Sequence, residues 1–262
     1  MIKAIFFDID GTLVSFQTHQ IPVSTQKALH KLRQQGIKVF VATGRSASQL
    51  SFLRECFDFE FDGYITMNGQ YCYNHNEIIH EEAISASDLE GFLPYLEKNE
   101  SLGCSFLELN YVYFNRITPQ ILKLWDKLGS TAPELVVDNA ERALTNRIYQ
   151  LSAYITEDEE ENFFRHLPNC KAARWYPTFT DVIPKNGGKT VGIQKMLDFY
   201  GLAVEESMAF GDGGNDKKML QYAHIGVAMG NATDDVKQAA DYITKDIDDD
   251  GILYALQHFQ IL

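Results

Sequence analysis

Ile2 to Phe7 runs straight into Asp8-Ile9-Asp10-Gly11-Thr12, and this junction decides the fold. So short an apolar run reads as a strand buried on both faces, as in a parallel sheet. The polar turn that stops it leaves two carboxylates at the strand's carboxyl end. Working outward, Ser24 or Thr25 can cap a helix with Ala28, Leu29 and Leu32 on one face, and Gly36 closes it. Ile37 to Ala42 reads as a second buried strand, followed by Thr43-Gly44-Arg45 and another helix from Ser46. Strand, helix, strand at this spacing predicts a right-handed βαβ unit. The rhythm returns near the C-terminus, with a helix from Lys189 to Tyr200 and a strand from Ser207 to Phe210. A helix from Asn215 and strands at Ile225 to Ala228 and Tyr242-Ile243 follow.

The middle of the chain is patterned differently. Tyr71 to Tyr73 and Glu77 to His80 flank Asn74-His75-Asn76 as a hairpin. From about Ala83 to Pro184, helices alternate with strands at Ser105 to Leu107, Tyr111 to Phe114, Tyr149 to Ile155 and Thr180 to Ile183. None of these carries a Gly-rich end. The acidic run Glu157 to Glu161 reads as the first turn of a helix, where carboxylates favour the dipole. The expected fold class is α/β: a Rossmann-like parallel-sheet core over residues 1–82 and 185–262, with an α+β cap domain inserted at 83–184. Hinges are expected near Ala83 and Pro184-Lys185.

Composition narrows the function. A net charge of −13 over 262 residues argues against a general nucleic-acid binder, which needs cations to displace counterions from phosphates. It leaves room for a small phosphorylated metabolite if a few cations reverse the field locally. No apolar run is long enough to span a membrane, and the stretch Ala4-Ile5-Phe6-Phe7 is cut off by Asp8 and Asp10, unlike a signal peptide. Cys56, Cys72, Cys104 and Cys170 are dispersed without a CxxC pair, so a reducing, cytoplasmic setting is expected. The sequence carries no signal for an oligomeric state.

Ligands of parallel α/β sheets bind at the carboxyl ends of strands. Unusual polar residues stand there: Asp8 to Thr12, Thr43-Gly44, Lys189 after Gly187-Gly188, and Gly211-Asp212-Gly213-Gly214-Asn215-Asp216. Several carboxylates in one crevice repel by several kcal/mol, roughly, at low effective dielectric, unless a divalent cation sits among them. All-oxygen ligands suit Mg²⁺, and a lysine, a hydroxyl and Gly-rich backbone donors suit a phosphate ester. Lys189 is informative because a cation in a helix's first turn opposes the macrodipole by about 0.3–1 kcal/mol. Thr43, read alone, serves equally as the cap of the helix near Ser46, and Arg45 reads either as a phosphate ligand or, in preference, as the partner of a core carboxylate. Asp246-Ile247-Asp248-Asp249-Asp250-Gly251 opens like a calcium loop, but the twelfth position is Gln257, so it reads as an acidic helix cap. His19, His30, His75, His80, His166, His224 and His258 form no HxH or HxxxH set, and no G-x-S-x-G elbow is present.

These residues resemble the four motifs of the haloacid dehalogenase (HAD) superfamily: Asp8-Ile9-Asp10-Gly11-Thr12, Ala42-Thr43-Gly44-Arg45, Lys189, and Gly211 to Asp216. Gly226 to Ala232, Ala240 to Thr244 and Asp250-Gly251 are similar to the Cof-type sugar-phosphate phosphatases of that superfamily. The resemblance implies a Mg²⁺-dependent phosphatase, with Asp8 as nucleophile forming an aspartyl-phosphate. Asp10 would protonate the leaving alcohol and then activate water, and its rate profile would be bell-shaped with an acid limb sensitive to Asp10→Asn. Mg²⁺ would be held by the side chains of Asp8 and Asp212 and the backbone carbonyl of Asp10. Thr43, Gly44 and Lys189 would bind the phosphoryl oxygens with help from Asn215, and Asp216 would orient Lys189 or a metal-bound water. Far more chain separates Thr43 from Lys189 than Asp10 from Thr43, an insertion point that corresponds to the family's C2 cap, and the resemblance of the tail motifs implies the C2B type. Glu108, Tyr111, Arg174 and Trp175 are cap candidates for facing a sugar. A phosphomutase, in which a sugar hydroxyl takes the phosphoryl group, and a non-catalytic sensor are the alternatives.

Overall fold

The computed structural model describes the backbone of residues 1–262 and every side chain except those of residues 54–56, so nothing is said of the Cys56 side chain. Five strands precede the insertion: β1 (Ala4–Phe7), β2 (Lys38–Ala42), β3 (Gly63–Thr66), β4 (Tyr71–Tyr73) and β5 (Ile78–Glu81). Five more fall inside it: β6 (Cys104–Leu107), β7 (Val112–Phe114), β8 (Gln150–Ala153), β9 (Cys170–Tyr176) and β10 (Phe179–Pro184). The last three are β11 (Ser207–Gly211), β12 (Ile225–Ala228) and β13 (Tyr242–Ile243). They build an eight-stranded sheet ordered β13-β12-β11-β1-β2-β3-β4-β5 and a separate five-stranded sheet ordered β7-β6-β8-β10-β9. From β13 to β3 the large sheet is parallel; β4 and β5 add an antiparallel edge. The fold is the expected α/β sheet with a second, covering sheet.

β1 is buried on both faces, which is why its sequence is an unbroken apolar run. Ile5 and Phe7 pack with Val39, Val41, Met208 and Phe210 beneath helices α1 (Val23–Gln34) and, at the chain's end, Gly251–His258. Ala4 and Phe6 face the other way, into Phe40, Ala42, Ile65, Ile193 and Met196. Phe6 stacks on Phe40 at 4.8 Å and Phe7 on Phe210 at 5.0 Å. Burying each such ring stabilises by about 1.5–3 kcal/mol, so a polar residue inside β1 would cost a large part of the fold's margin.

The five-stranded sheet is antiparallel throughout and two-faced. Cys104, Phe106, Leu151, Ala153 and Val182 point into a core shared with Phe92 and Phe163. Ser105, Gln150, Ser152 and Asp181 alternate with them on the opposite face.

Several elements differ from expectation. Neither Ser24 nor Thr25 caps α1: Pro22, with φ −53°, sets the boundary, Ser24 donates to Asp250, and Thr25 is buried. β3 and β9 were not anticipated; β9 is half-buried along its length and shows no apolar run. The helices expected from Ser46 and Asn215 each open with a 3₁₀ turn before α2 (Ser51–Cys56) and before Lys217–Tyr222. At Glu157–Glu159 a 3₁₀ turn also precedes a short helix, with Glu159 accepting from the Thr156 backbone and hydroxyl. Asp246 accepts from the Asp248 N–H ahead of the last helix, as a cap does.

Candidate active site

Asp8, Thr43, Asn68 and Asp212 each stand just past the carboxyl end of a parallel strand: β1, β2, β3 and β11. The fifth contributor, Lys189, is the first residue of the helix Lys189–Tyr200, entered through Gly188 as the chain returns from the insertion. The polar face of the five-stranded sheet lies opposite. Between them is a cavity of about 270 Å³ lined by Asp8, Asp10, Thr43, Gly44, Asp212 and Asn215 below and by Gln150, Ser152, Trp175 and Asp181 above.

Lys189 is the hub of the buried charges. Its Nζ lies 2.6 Å from Asp8 Oδ1 and 2.6 Å from Asp216 Oδ1, with the lysine side chain only 1% exposed. The second oxygen of Asp216 accepts from the backbone N–H groups of Gly213 (2.9 Å) and Asp212 (3.1 Å). Asp216 is therefore spent on holding the lysine and the glycine-rich loop. Asp212 accepts from the Thr12 hydroxyl at 3.0 Å. Gly11, at φ +94°, makes this approach possible, because a Cβ there would collide with the Asp212 carboxylate.

Oxygens of Asp8, Asp212 and Asp216 come within 4.8 Å of one another. Burial, reinforced by the charge on Asp216, pushes Asp8 up to about 7 against the pull of Lys189. Burial and the neighbouring Asp8 hold Asp212 well above the usual carboxylate range. Burial works against the Lys189 charge, but Asp216 and Asp8 outweigh it and raise the lysine. Three acids share one ammonium, and at about 4 Å each unscreened pair costs roughly 4 kcal/mol at an effective dielectric of 20. A divalent cation on the Asp8 and Asp212 oxygens fits that deficit; Asp216 has no oxygen to spare.

Asp10 is not part of this cluster. Both its oxygens are gripped by Arg45, from Nε at 2.8 Å and Nη2 at 2.7 Å. Arg45 thus pairs with a carboxylate, as expected, and that carboxylate lines the cavity. Thr43 accepts the Arg45 backbone N–H at 3.1 Å, while the helical turn ahead starts at Ser46, whose N–H donates to Gln49, so Thr43 is no helix cap. Asn215 lines the cavity and donates to Asn68 at 3.0 Å.

Asn68, Gln150 and Asp181 were missed by the sequence. Asn68, at φ +53°, donates to Gln150 (2.9 Å) and Asp181 (2.8 Å), and Gln150 in turn donates to the Gly44 carbonyl at 3.1 Å. Asp181 also accepts from Ser152 at 2.9 Å, and burial pushes it up to about 7 against the hydrogen bonds of Asn68 and Ser152. The readable signal was a lone acid inside the apolar strand Phe179–Pro184. Of the four cap candidates, Trp175 lines the cavity. Glu108 is spent on Arg142, Tyr111 on Asp138, and Arg174 on Glu160 and nearby carbonyls.

Residues 5–256 match the family model for haloacid dehalogenase-like hydrolases. YkrA of Bacillus subtilis (strain 168), provisionally named a phosphatase, is 33% identical over 99% of this chain and 98% of its own. The solved structure of the HAD subclass IIB sugar phosphatase BT4131 is 42% identical, covers 99% of this chain and 100% of that one, and superposes with a TM-score of 0.90. BT1666 of Bacteroides thetaiotaomicron, described among HAD phosphatases, is 37% identical over 100% of this chain and 96% of that one, with a TM-score of 0.88. Among the described residues no helix is long and apolar enough to cross a membrane.

Proposed function

The chain belongs to the haloacid dehalogenase-like hydrolases and is a phosphoric monoester hydrolase of that family, and we propose that it hydrolyses a sugar phosphate with Mg²⁺ through an aspartyl-phosphate on Asp8. The observation that carries this reading is the buried Asp8–Lys189–Asp216 chain, whose Asp8 end reaches the cavity floor beside Asp10 and Asp212 while Lys189 and Asp216 lie behind it. Phosphatases of this family generally use a divalent metal. Asp8 and Asp212, with the Asp10 carbonyl, would hold Mg²⁺, which when bound offsets charge between the attacking carboxylate and the phosphate.

The chain's own residues supply the rest. An Asp8 oxygen attacks phosphorus in line while the bond to the leaving oxygen breaks, and Asp10 hands its proton to that oxygen. Asp10 then takes a proton from water, the water oxygen attacks phosphorus, and the bond to Asp8 breaks, releasing phosphate and restoring the carboxylate. Lys189, Thr43 and the Gly44 N–H bind the phosphoryl oxygens, with Asn215 beside them, while Asp216 fixes Lys189. The insertion at 83–184 acts as a cap whose polar face contacts the sugar and whose closure excludes water. The BT4131 likeness supports the sugar-phosphate class. The test is a screen of phosphorylated metabolites with Mg²⁺ present and after chelation. Phosphate release from hexose phosphates that stops on chelation is expected; undiminished turnover after exhaustive chelation overturns the metal, and silence on every sugar phosphate overturns the substrate class.

A further inference from the structure

We infer that Arg45 is a positioning residue for Asp10, and that it ties the aim of that carboxyl to a docked cap. The inference rests on Asp10 being the proton carrier. Arg45 meets Asp10 with two donors in a fork, at 2.8 and 2.7 Å, which fixes the rotation of the carboxylate as well as its place. Its remaining arm reaches out of the core: Nη1 donates to the Thr131 carbonyl at 2.8 Å. Thr131 belongs to the turn after the cap helix Pro119–Leu128, and its hydroxyl donates back to the Leu128 carbonyl at 2.8 Å, so this acceptor moves only with that helix. The guanidinium lies over the Phe52 ring at 4.4 Å, and the Arg45 backbone N–H is held by Thr43. A single residue therefore joins three parts: its backbone holds it in the turn with Thr43, and its side chain reaches the Asp8–Thr12 loop on one side and the cap on the other.

Two physical points make this more than packing. Among the described residues no other side chain hydrogen-bonds the Asp10 carboxylate, so without Arg45 its direction is set by the turn alone. Arg45 is 9% exposed, and a buried guanidinium keeps its geometry only while its donors are met. Lifting the cap removes the Thr131 acceptor and wets the fork, freeing a side chain rich in rotamers. A lysine cannot copy the device, since a single ammonium cannot form the fork and reach Thr131 together.

The test compares an alkyl ester such as a hexose 6-phosphate, whose alcohol leaves only when protonated, with 4-nitrophenyl phosphate, whose phenolate needs little help. For Arg45→Met, kcat/KM is expected to fall about 10²-fold on the alkyl ester, the loss a misaimed catalytic group produces, and less than about fivefold on the aryl ester. Asp10→Asn is expected to show the same skew. The double variant is expected to fall no more than about threefold below Asp10→Asn, because groups acting as one unit do not add. Arg45→Lys, which keeps the charge, recovers part of the alkyl activity and serves in place of Arg45→Met if that variant fails to fold by thermal melting. Equal losses on both esters, as direct phosphate binding by Arg45 produces, or fully multiplicative losses in the double variant overturn the inference. A skew in Asp10→Asn that is absent from the Arg45 variants sinks it alone, whereas no skew in Asp10→Asn sinks the role given to Asp10 as well.

Discussion

The two sheets use their residues in opposite ways. The central strands β1, β2 and β11 of the large sheet are apolar on both faces and carry their polar groups past their carboxyl ends, at Asp8, Thr43 and Asp212. Strands of the small sheet are apolar on one face and mixed on the other, where Ser105, Gln150, Ser152 and Asp181 stand among Leu107, Phe114 and Phe179 along the cavity. Groups at strand ends sit on loops whose spacing must be kept, and that suits a reaction common to many substrates. Groups on a sheet face can be exchanged one by one without disturbing the core behind them, and that suits selection among substrates.

If that contrast holds, Asp8→Asn should abolish turnover of every ester, by about 10⁴-fold or more, as loss of a nucleophile does. Steady-state assays on aryl and sugar phosphates check this, and substantial residual activity on either breaks the core half of the comparison. Asp181→Asn should reorder sugar phosphates by about tenfold, the scale of one altered buried hydrogen bond, and leave 4-nitrophenyl phosphate nearly untouched. Uniform loss on all esters would mean that the cap face acts on chemistry rather than choice.

Stability should separate the regions too. In the folded chain Asp8 is held at about 7 and Asp212 well above 3.8, so between roughly pH 4 and 7 the folded state binds more protons than the unfolded state. Metal-free stability is therefore highest at the acid end of that window and falls as pH rises through it. With Mg²⁺ on these acids as proposed, the ion should raise Tm more at pH 8 than at pH 5. Asp181, also held at about 7, adds a fall of the same sign that Mg²⁺ leaves in place and Asp181→Asn removes. Calorimetry at the two pH values reads both, and an equal Mg²⁺ shift at both breaks the core share. The smallest effect concerns the thiols. Cys72 in the large sheet and Cys104 and Cys170 in the small one are buried, and burial raises all three. In a Cys56→Ser chain they should resist thiol reagents until mild denaturant exposes them, and the order of labelling ranks the two sheets by local stability.

The large sheet and its acids were legible because a parallel strand, its turn and its carboxylates occur in one short stretch. Ile2 to Thr12 holds all three, and Ser207 to Asp216 repeats the arrangement. Asn68 and Asp181 were not legible, because their meaning arises only when β3 and β10 approach across the cavity. β9 was hidden by half-burial: Lys171 to Arg174 alternates too weakly to read as a strand. Arg45 was read as paired, yet nothing local could name Asp10 or Thr131 as its partners.

The strand order also bears on how the chain is made. β1 lies between β2 and β11, so one whole side of the first strand stays bare until the ribosome has passed Gly211. Every strand of the small sheet, by contrast, has been synthesised by Pro184. During translation the small sheet can be finished while the strand that ends at Asp8 still waits for a neighbour, leaving Ile5, Phe6 and Phe7 in need of cover until it arrives.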